Sequence, residues 1–455
     1  MPEEWEEALF TEPACEHNNH HQKGCAGPRP GELTKGCAFH GSHLFLLPVP
    51  GALHLIHGTP GCLFNSAGYL GAVNGYEPED FPVFSTHLSR EEIMAGSEAN
   101  LAASIDGLVD TYRPTCVFVY ATCITLLTMD KVDAVCEAAE RKHALPVLVV
   151  HSQGFAGNRQ MGTRQAGEIL FRRIICAETA VPQRLTSFDI NLIGEYEFCG
   201  SGEEIEDILG KIGIRVLSKI AGGRSFQDLP AAASARVNVL AGGRALLALS
   251  RNMRDAYGTP FIEASFYGSK EIRFSLRQLA FHFQNDWLDR KIHRYIRKEE
   301  ESLRKDTLAD CKELKGRRVV LFTDGADSWL FLSALQELGL KVAAIGTNRN
   351  AQEDYSRIRE RAGDAILVKD CSEKKILGLY RERKAELMIV GGRNAYVPLK
   401  EMIPFLNLDE ERCGYIGYRG VRRLARDLVE VIKQPVWEVV RRPAPWEGGT
   451  YADGG

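Results

Sequence analysis

The chain has 455 residues, a net charge of -4 and 25% charged side chains, the composition of an ordinary globular protein too long for one core; about 150 residues per domain suggests three domains. Positive and negative charges are interspersed, which gives no electrostatic ground for nucleic acid or an anionic membrane as a partner. No run approaches about 18 uninterrupted apolar residues, and the acidic start Met1-Pro2-Glu3-Glu4 is not a basic leader, so a cytoplasmic protein is expected whose twelve cysteines are buried small hydrophobes or ligands rather than a disulfide framework.

Residues 1–35 are polar, with Cys15, His17, His20, His21 and Cys25 among Asn, Gly and Pro. This reads as a flexible arm that drapes over a partner; the alternative is a metal-binding tract, but its spacings match no zinc pattern. From residue 42 strand-like and helix-like segments alternate. Leu44 to Val49 is a short apolar run, Glu92 to Tyr112 an amphipathic helix, Val117 to Tyr120 a buried strand, Lys131 to Arg141 a helix and Val147 to Val150 the next strand. The strands end in small or polar clusters, Ala121-Thr122-Cys123 and His151-Ser152-Gln153-Gly154, where parallel sheets bind their ligands.

A second unit contains Ile190 to Glu195, Ile214 to Leu217 and Val237 to Leu240, and the charged segment Asp286 to Lys315 reads as one long connecting helix. A third contains Val319 to Phe322, Val342 to Ile345 and Leu387 to Val390. The expected architecture is α/β: three Rossmann-like, doubly wound parallel-sheet domains around a shared cleft. The expected division is an arm over 1–35 and domains over 36–185, 186–300 and 301–455.

Three cysteines stand out. Gly36-Cys37-Ala38-Phe39, Thr59-Pro60-Gly61-Cys62 and Tyr120-Ala121-Thr122-Cys123 each place a thiol beside small residues. A bulky inorganic cluster needs that close backbone approach and the N–H groups it exposes. Three thiolates are one short of four, so a second chain is expected to complete an iron–sulfur site. His40, His43, His54 and His57 flank the first two cysteines without a recognised ligand spacing and read as structural or supporting groups. Arg393, in Gly391-Gly392-Arg393-Asn394, is a candidate for facing an anionic cofactor or for bridging to another domain. Cys413, between Arg412 and Gly414, is a candidate ligand or a buried thiol. Phosphate-binding loops, nucleophile elbows and His-Glu-x-x-His helices are absent from the sequence, which leaves redox or cluster-handling chemistry.

Glu12-Pro13-Ala14-Cys15-Glu16-His17-Asn18, Gly36-Cys37-Ala38-Phe39, Asp189 to Tyr196, Ser265-Phe266-Tyr267-Gly268, Ile403-Pro404-Phe405-Leu406, Gly414 to Tyr418, and Val436-Trp437-Glu438 with Arg441 to Trp446 resemble the nitrogenase component 1 superfamily, and within it the NifE-type subunits of the scaffold on which the iron–molybdenum cofactor matures. The resemblance implies that Cys37, Cys62 and Cys123 hold an interface cluster, [4Fe-4S] or P-cluster-like, completed by a β-type, NifN-like subunit. It also implies an α2β2 heterotetramer, electron delivery from an ATP-dependent iron protein, and a larger iron–sulfur cofactor or precursor in the cleft. At the family's cysteine ligand for that larger group this chain has Gly242, and Asp409 stands about where NifE has asparagine and the catalytic subunit histidine. Either Asp409, Cys413 or a cleft histidine substitutes as ligand, or the larger group is not bound at all. The resemblance is compatible with a divergent scaffold, with the catalytic subunit of a nitrogenase-like reductase such as methylthio-alkane reductase, or with a non-catalytic subunit that keeps only the interface cluster.

Overall fold

The computed structural model describes residues 37–64, 82–176, 185–194, 201–220, 226–242, 244–324, 327–348, 358–369, 371–408 and 412–442. The N-terminal arm and its Cys15 to Cys25 tract lie outside them. The first sheet contains β1 (Ala52–His57), β2 (Val83–Ser85), β3 (Cys116–Ala121) and β4 (Val147–His151), all parallel, in the order β2-β1-β3-β4. All six residues of β1 and of β3 are buried, as strands covered on both faces by helices must be.

Two local readings of this region are corrected. The run Leu44 to Val49 is not strand-like: Leu44 to Leu46 close helix α1 (Ala38–Leu46), in which eight of nine residues are buried. A helix buried all round has no amphipathic period, so its apolar run looks like a strand. The strand it displaced is β1, whose His54 and His57 interrupt the apolar pattern. The helix expected over Glu92 to Tyr112 is two, α2 (Arg90–Ala95) and α3 (Glu98–Tyr112). Ser89 and Glu92 form a reciprocal capping box at the start of α2, and Gly96, at φ +102°, takes a conformation that ends it.

After β3 come α4 (Cys123–Thr128) and α5 (Val132–His143), and after β4 comes α6 (Arg159–Leu170). Helices α1 and α6 pack backbone against backbone. A Cβ on Gly41 would run into the Arg159 backbone, and one on Gly162 into the Ala38 carbonyl and the Ser42 amide. Neither glycine has a positive φ, so closeness of approach, not backbone freedom, requires them.

The second sheet, in the order β6-β5-β7-β8, repeats this topology with β5 (Asp189–Ile193), β6 (Arg215–Ile220), β7 (Val237–Ala241) and β8 (Phe261–Ala264). Buried Asn191 on β5 donates to Asn238 Oδ1 on β7 at 2.8 Å and to the Ala232 carbonyl at 2.7 Å. The connecting helix expected over 286–315 is interrupted at Thr307, between α7 (Asp286–Asp306) and α8 (Leu308–Leu314); the Thr307 hydroxyl bonds back to the Leu303 carbonyl. The third sheet is β11-β10-β9-β12-β13, from β9 (Arg318–Asp324) to β13 (Phe405–Asn407), with β10 (Lys341–Asn348), β11 (Ile366–Lys369) and β12 (Leu387–Val390) between them in sequence. The cores are continuous: Phe45 and Tyr120 of the first unit pack in one cluster with Ile193, Leu240 and Met253 of the second, and Ile190 and Val239 share another with Val319 and Leu387 of the third.

Gly41→Ala and Gly162→Ala are each expected to destabilise the first unit by about 1–3 kcal/mol, the cost of overpacking a contact that cannot give. Hydrogen exchange should show protection lost in α1 and α6 and kept in the third sheet.

Candidate functional site

In doubly wound sheets, ligands sit beyond the carboxyl ends of the strands where the winding direction reverses. In the first sheet that point lies between β1 and β3. Cys62 stands five residues beyond the end of β1, in a helical turn over 60–64, and Cys123 is the first residue of α4, two residues beyond β3. Cys37 is the N-cap of α1, brought across by the α1–α6 contact and by an antiparallel bridge to Asn158, with the Ala38 amide bonded to the Gly157 carbonyl at 3.0 Å. Each thiol therefore sits at the start of a helical segment, where backbone N–H groups lack intrahelical partners and favour negative charge.

Gly154, just past β4, closes the site. Its N–H donates to Cys123 Sγ at 3.0 Å. A Cβ there would lie 3.1 Å from Cys123 Sγ and 3.2 Å from Cys37 Cβ, tight enough to press on both cysteine side chains, with Cys37 Sγ in ordinary contact at 3.5 Å. Burial pushes the Cys37 thiol up, opposed by the His40 amide and reinforced by Cys123, and pushes Cys62 up to about 11, with Cys37 and Cys123 adding to the rise. The raised thiols of Cys37 and Cys62 are what a positive metal centre would reverse. Among the described residues no three His, Cys, Asp or Glu side chains converge as tightly as a single ion requires. A polynuclear cluster, whose thiolates bind different irons, does not need three ligands on one ion.

Among the described residues, exposed apolar side chains neighbour the cysteine segments. Phe64 follows Cys62, Leu126 and Leu127 lie on α4 with Met129 just beyond it, Phe155 follows Gly154, and Met94 is on α2, which packs against α4.

Of the histidines beside these cysteines, His43, His54 and His57 are interior groups and His40 is half-buried. His54 Nδ1 lies 2.8 Å from the Tyr120 hydroxyl, and its ring stacks on Phe118 and Tyr120. His43 stacks on Phe39 and meets Tyr120 edge-on. Burial pushes His43 down to about 3 and His54 well below the ordinary histidine range, so both rings are neutral packing elements.

Arg393 and Cys413 belong to the third unit. Arg393 lies in a 3-10 turn over Gly392–Ala395 after β12, at the β9/β12 reversal, and Cys413 in a 3-10 turn over Arg412–Tyr415. Asp409 falls outside the described residues, as do the side chains of Arg393 and Cys413. Gly242 follows β7 at the β5/β7 reversal, at φ +97°, with nothing within 4 Å of the place a Cβ would take. Two residues on, Arg244 holds Glu263 of β8 through two hydrogen bonds of 2.8 and 2.7 Å. Gly154 was not singled out from the sequence; its signal was the small, polar cluster that ends at it after a buried strand.

The profile of nitrogenase component 1 type oxidoreductases matches residues 37–433. The chain belongs to the nitrogenase component 1 family. Curated relatives named nitrogenase iron-molybdenum cofactor biosynthesis protein NifE include those of Rippkaea orientalis, 39% identical over 96% of this chain and 95% of its own length, and of Klebsiella pneumoniae, 36% identical over 96% and 98%. The solved structure titled Nitrogenase Cp1 at pH 6.5 superposes with a TM-score of 0.82 over 92% of this chain and 93% of its own, at 22% identity, which establishes the component 1 fold.

Because His43 and His54 titrate lower in the folded chain than the roughly 6.5 of an unfolded one, the unfolded state binds more protons below that pH. Stability of the first unit should be full above about pH 6.5 and fall as pH drops toward 3, by about 1.4 kcal/mol per pH unit per histidine. Denaturant midpoints at successive pH values should show this slope, and His43→Phe should reduce it.

Proposed function

We propose that the chain is a NifE-like scaffold subunit in maturation of the nitrogenase iron–molybdenum cofactor. The observation that carries this reading is the near full-length similarity to proteins named for that role, at up to 39% identity among the relatives above. The convergence of Cys37, Cys62 and Cys123 on one open, apolar-rimmed face supports its second part: an iron–sulfur cluster, [4Fe-4S] or P-cluster-like, shared with a β-type, NifN-like subunit in an α2β2 assembly. When bound, such a cluster supplies one-electron transfer, fed by an ATP-dependent iron protein.

The chain's own residues have separable tasks in this reading. Cys37, Cys62 and Cys123 bind iron as thiolates, the Gly154 N–H offsets negative charge on Cys123, and the apolar rim excludes water once the partner docks. The cofactor precursor is cargo. Arg393, Asp409 and Cys413 are the candidates for holding it between the three sheets, taken as three domains over 36–185, 186–300 and 301–455 behind an arm over 1–35. Gly242 offers the cargo open space and no thiolate. Weak ligation suits a subunit that must release what it holds.

The test is iron and molybdenum analysis with EPR on the anaerobically purified complex of this chain and its β-type partner. One [4Fe-4S] centre per αβ pair, a labile larger cluster and no multiple-turnover reduction of small molecules are expected. Stable high iron with multiple turnovers would make the complex a reductase. Cys37→Ala, Cys62→Ala and Cys123→Ala should each remove or convert the interface cluster and weaken association with the partner, and unchanged iron in all three overturns the assignment. Gly154→Val, which crowds two sulfurs, should lower iron occupancy while leaving the fold intact by circular dichroism.

A further inference from the structure

Behind the cysteine site lies a buried polar network that neither the cluster nor the cargo uses. His57, the last residue of β1, is fully buried. Its Nδ1 lies 3.1 Å from Thr86 Oγ1 and its Nε2 3.0 Å from Ser97 Oγ. Thr86 Oγ1 also receives the Gly58 N–H at 3.1 Å, and the Ser97 hydroxyl donates to Asp130 Oδ2 at 2.6 Å. Thr86 and Ser97 are buried too, and the Asp130 side chain is 2% exposed.

The donor count fixes the direction of these bonds. Ser97 has one hydroxyl proton, and the Asp130 carboxylate, which can only accept, takes it. Toward His57, Ser97 is therefore an acceptor, so Nε2 carries the hydrogen. In the neutral ring Nδ1 is then the acceptor and the Thr86 hydroxyl its donor. Burial lowers the His57 pKa, against the raising influence of Asp130, Glu98 and Glu92, the charged groups that face it. The connectivity is not that of a hydrolase triad, since the carboxylate holds the serine instead of the far ring nitrogen and the serine is sealed from substrate.

The two ends of this chain of bonds are the two cysteine segments. Gly58 begins the loop to Cys62 and is packed so tightly on Thr122 that a Cβ would collide with its hydroxyl. Thr122, which precedes Cys123, donates its hydroxyl to the His57 carbonyl at 2.8 Å. Asp130 follows α4, and its amide bonds to the Thr125 carbonyl at 3.1 Å.

We propose that His57 is a positioning residue: as the neutral Nε2–H tautomer it is the middle link of a one-way chain, Gly58 N–H to Thr86 to His57 to Ser97 to Asp130, that clamps the Cys62 loop against the segment bearing Cys123. The benefit to a metal cluster rests on the cluster reading above; the clamp itself does not.

Two measurements on the full, metal-free chain test it. In 15N-histidine NMR, with His57 assigned by His57→Gln, Nε2 should be protonated and Nδ1 bare, unchanged from about pH 8 to about pH 6. Alkylation rates read by mass spectrometry should show Cys62 about tenfold faster in Thr86→Val, the effect of leaving a buried group unpaired, and within about twofold of the unmodified chain in Thr86→Ser, which keeps the hydroxyl. An Nδ1–H or cationic ring overturns the proposal, as does equal Cys62 reactivity in the two Thr86 variants. The NMR result decides if Thr86→Val does not fold. If both results hold while the loaded complex contains no cluster, the clamp stands and the cluster reading falls.

Discussion

The contact between α1 and α6 is the constraint on which the cysteine site depends. Two helices can come this close only where both lack side chains at the crossing, and Gly41 and Gly162 supply that on opposite sides of the interface. The approach brings Cys37, which precedes the first sheet in sequence, to the end of that sheet where Cys62 and Cys123 emerge. The Cys37 to Asn158 bridge and the Ala38 to Gly157 hydrogen bond then fix its height relative to the Gly154 loop. Sheet topology alone would bring two thiols together, and the glycine contact adds the third.

Around that frame, the electrostatics are arranged for an occupant that the thiols cannot replace for one another. Burial and mutual proximity disfavour ionised sulfur at Cys37 and Cys62, while helical N–H groups and the Gly154 amide offer partial positive charge from fixed backbone. Fixed dipoles lower the reorganisation needed when charge arrives. The interior behind the sulfurs is aromatic on the α1 side, with neutral His43 and His54 among Phe39, Phe118 and Tyr120. On the α3 side it is a saturated polar chain through His57. The open side is the apolar rim, which in isolation exposes large side chains to water at a cost that a partner surface would relieve.

The loops at the three sheet reversals follow a different logic. The three sheets reverse direction at β1/β3, β5/β7 and β9/β12, and the loops leaving those reversals carry Cys62 and Cys123, Gly242, and Arg393 respectively. At Gly242 the chain has open space and a positive φ that side chains rarely adopt, so the loop is shaped for a glycine and is more than a cysteine loop with its sulfur removed.

The sequence by itself determined the parallel α/β architecture, because Val117 to Tyr120 and Leu387 to Val390 are continuous apolar runs, Val237 to Leu240 is broken only by Asn238, and each ends in a small or polar cluster with helix-forming segments between them, the pattern of strands covered on both faces. It also picked out Cys37, Cys62 and Cys123, since a thiol among glycines and small residues is locally visible. It did not reveal β1, where two buried histidines break the apolar run, nor the helical state of Leu44 to Leu46, because short apolar segments carry no period that separates strand from buried helix. The Gly154 cradle, the Gly41/Gly162 crossing and the polarity of the His57 chain were decided only by tertiary structure. Each is a relation between atoms of residues distant in sequence, and a glycine or a histidine in a sequence does not say which backbone or which hydroxyl will be brought against it.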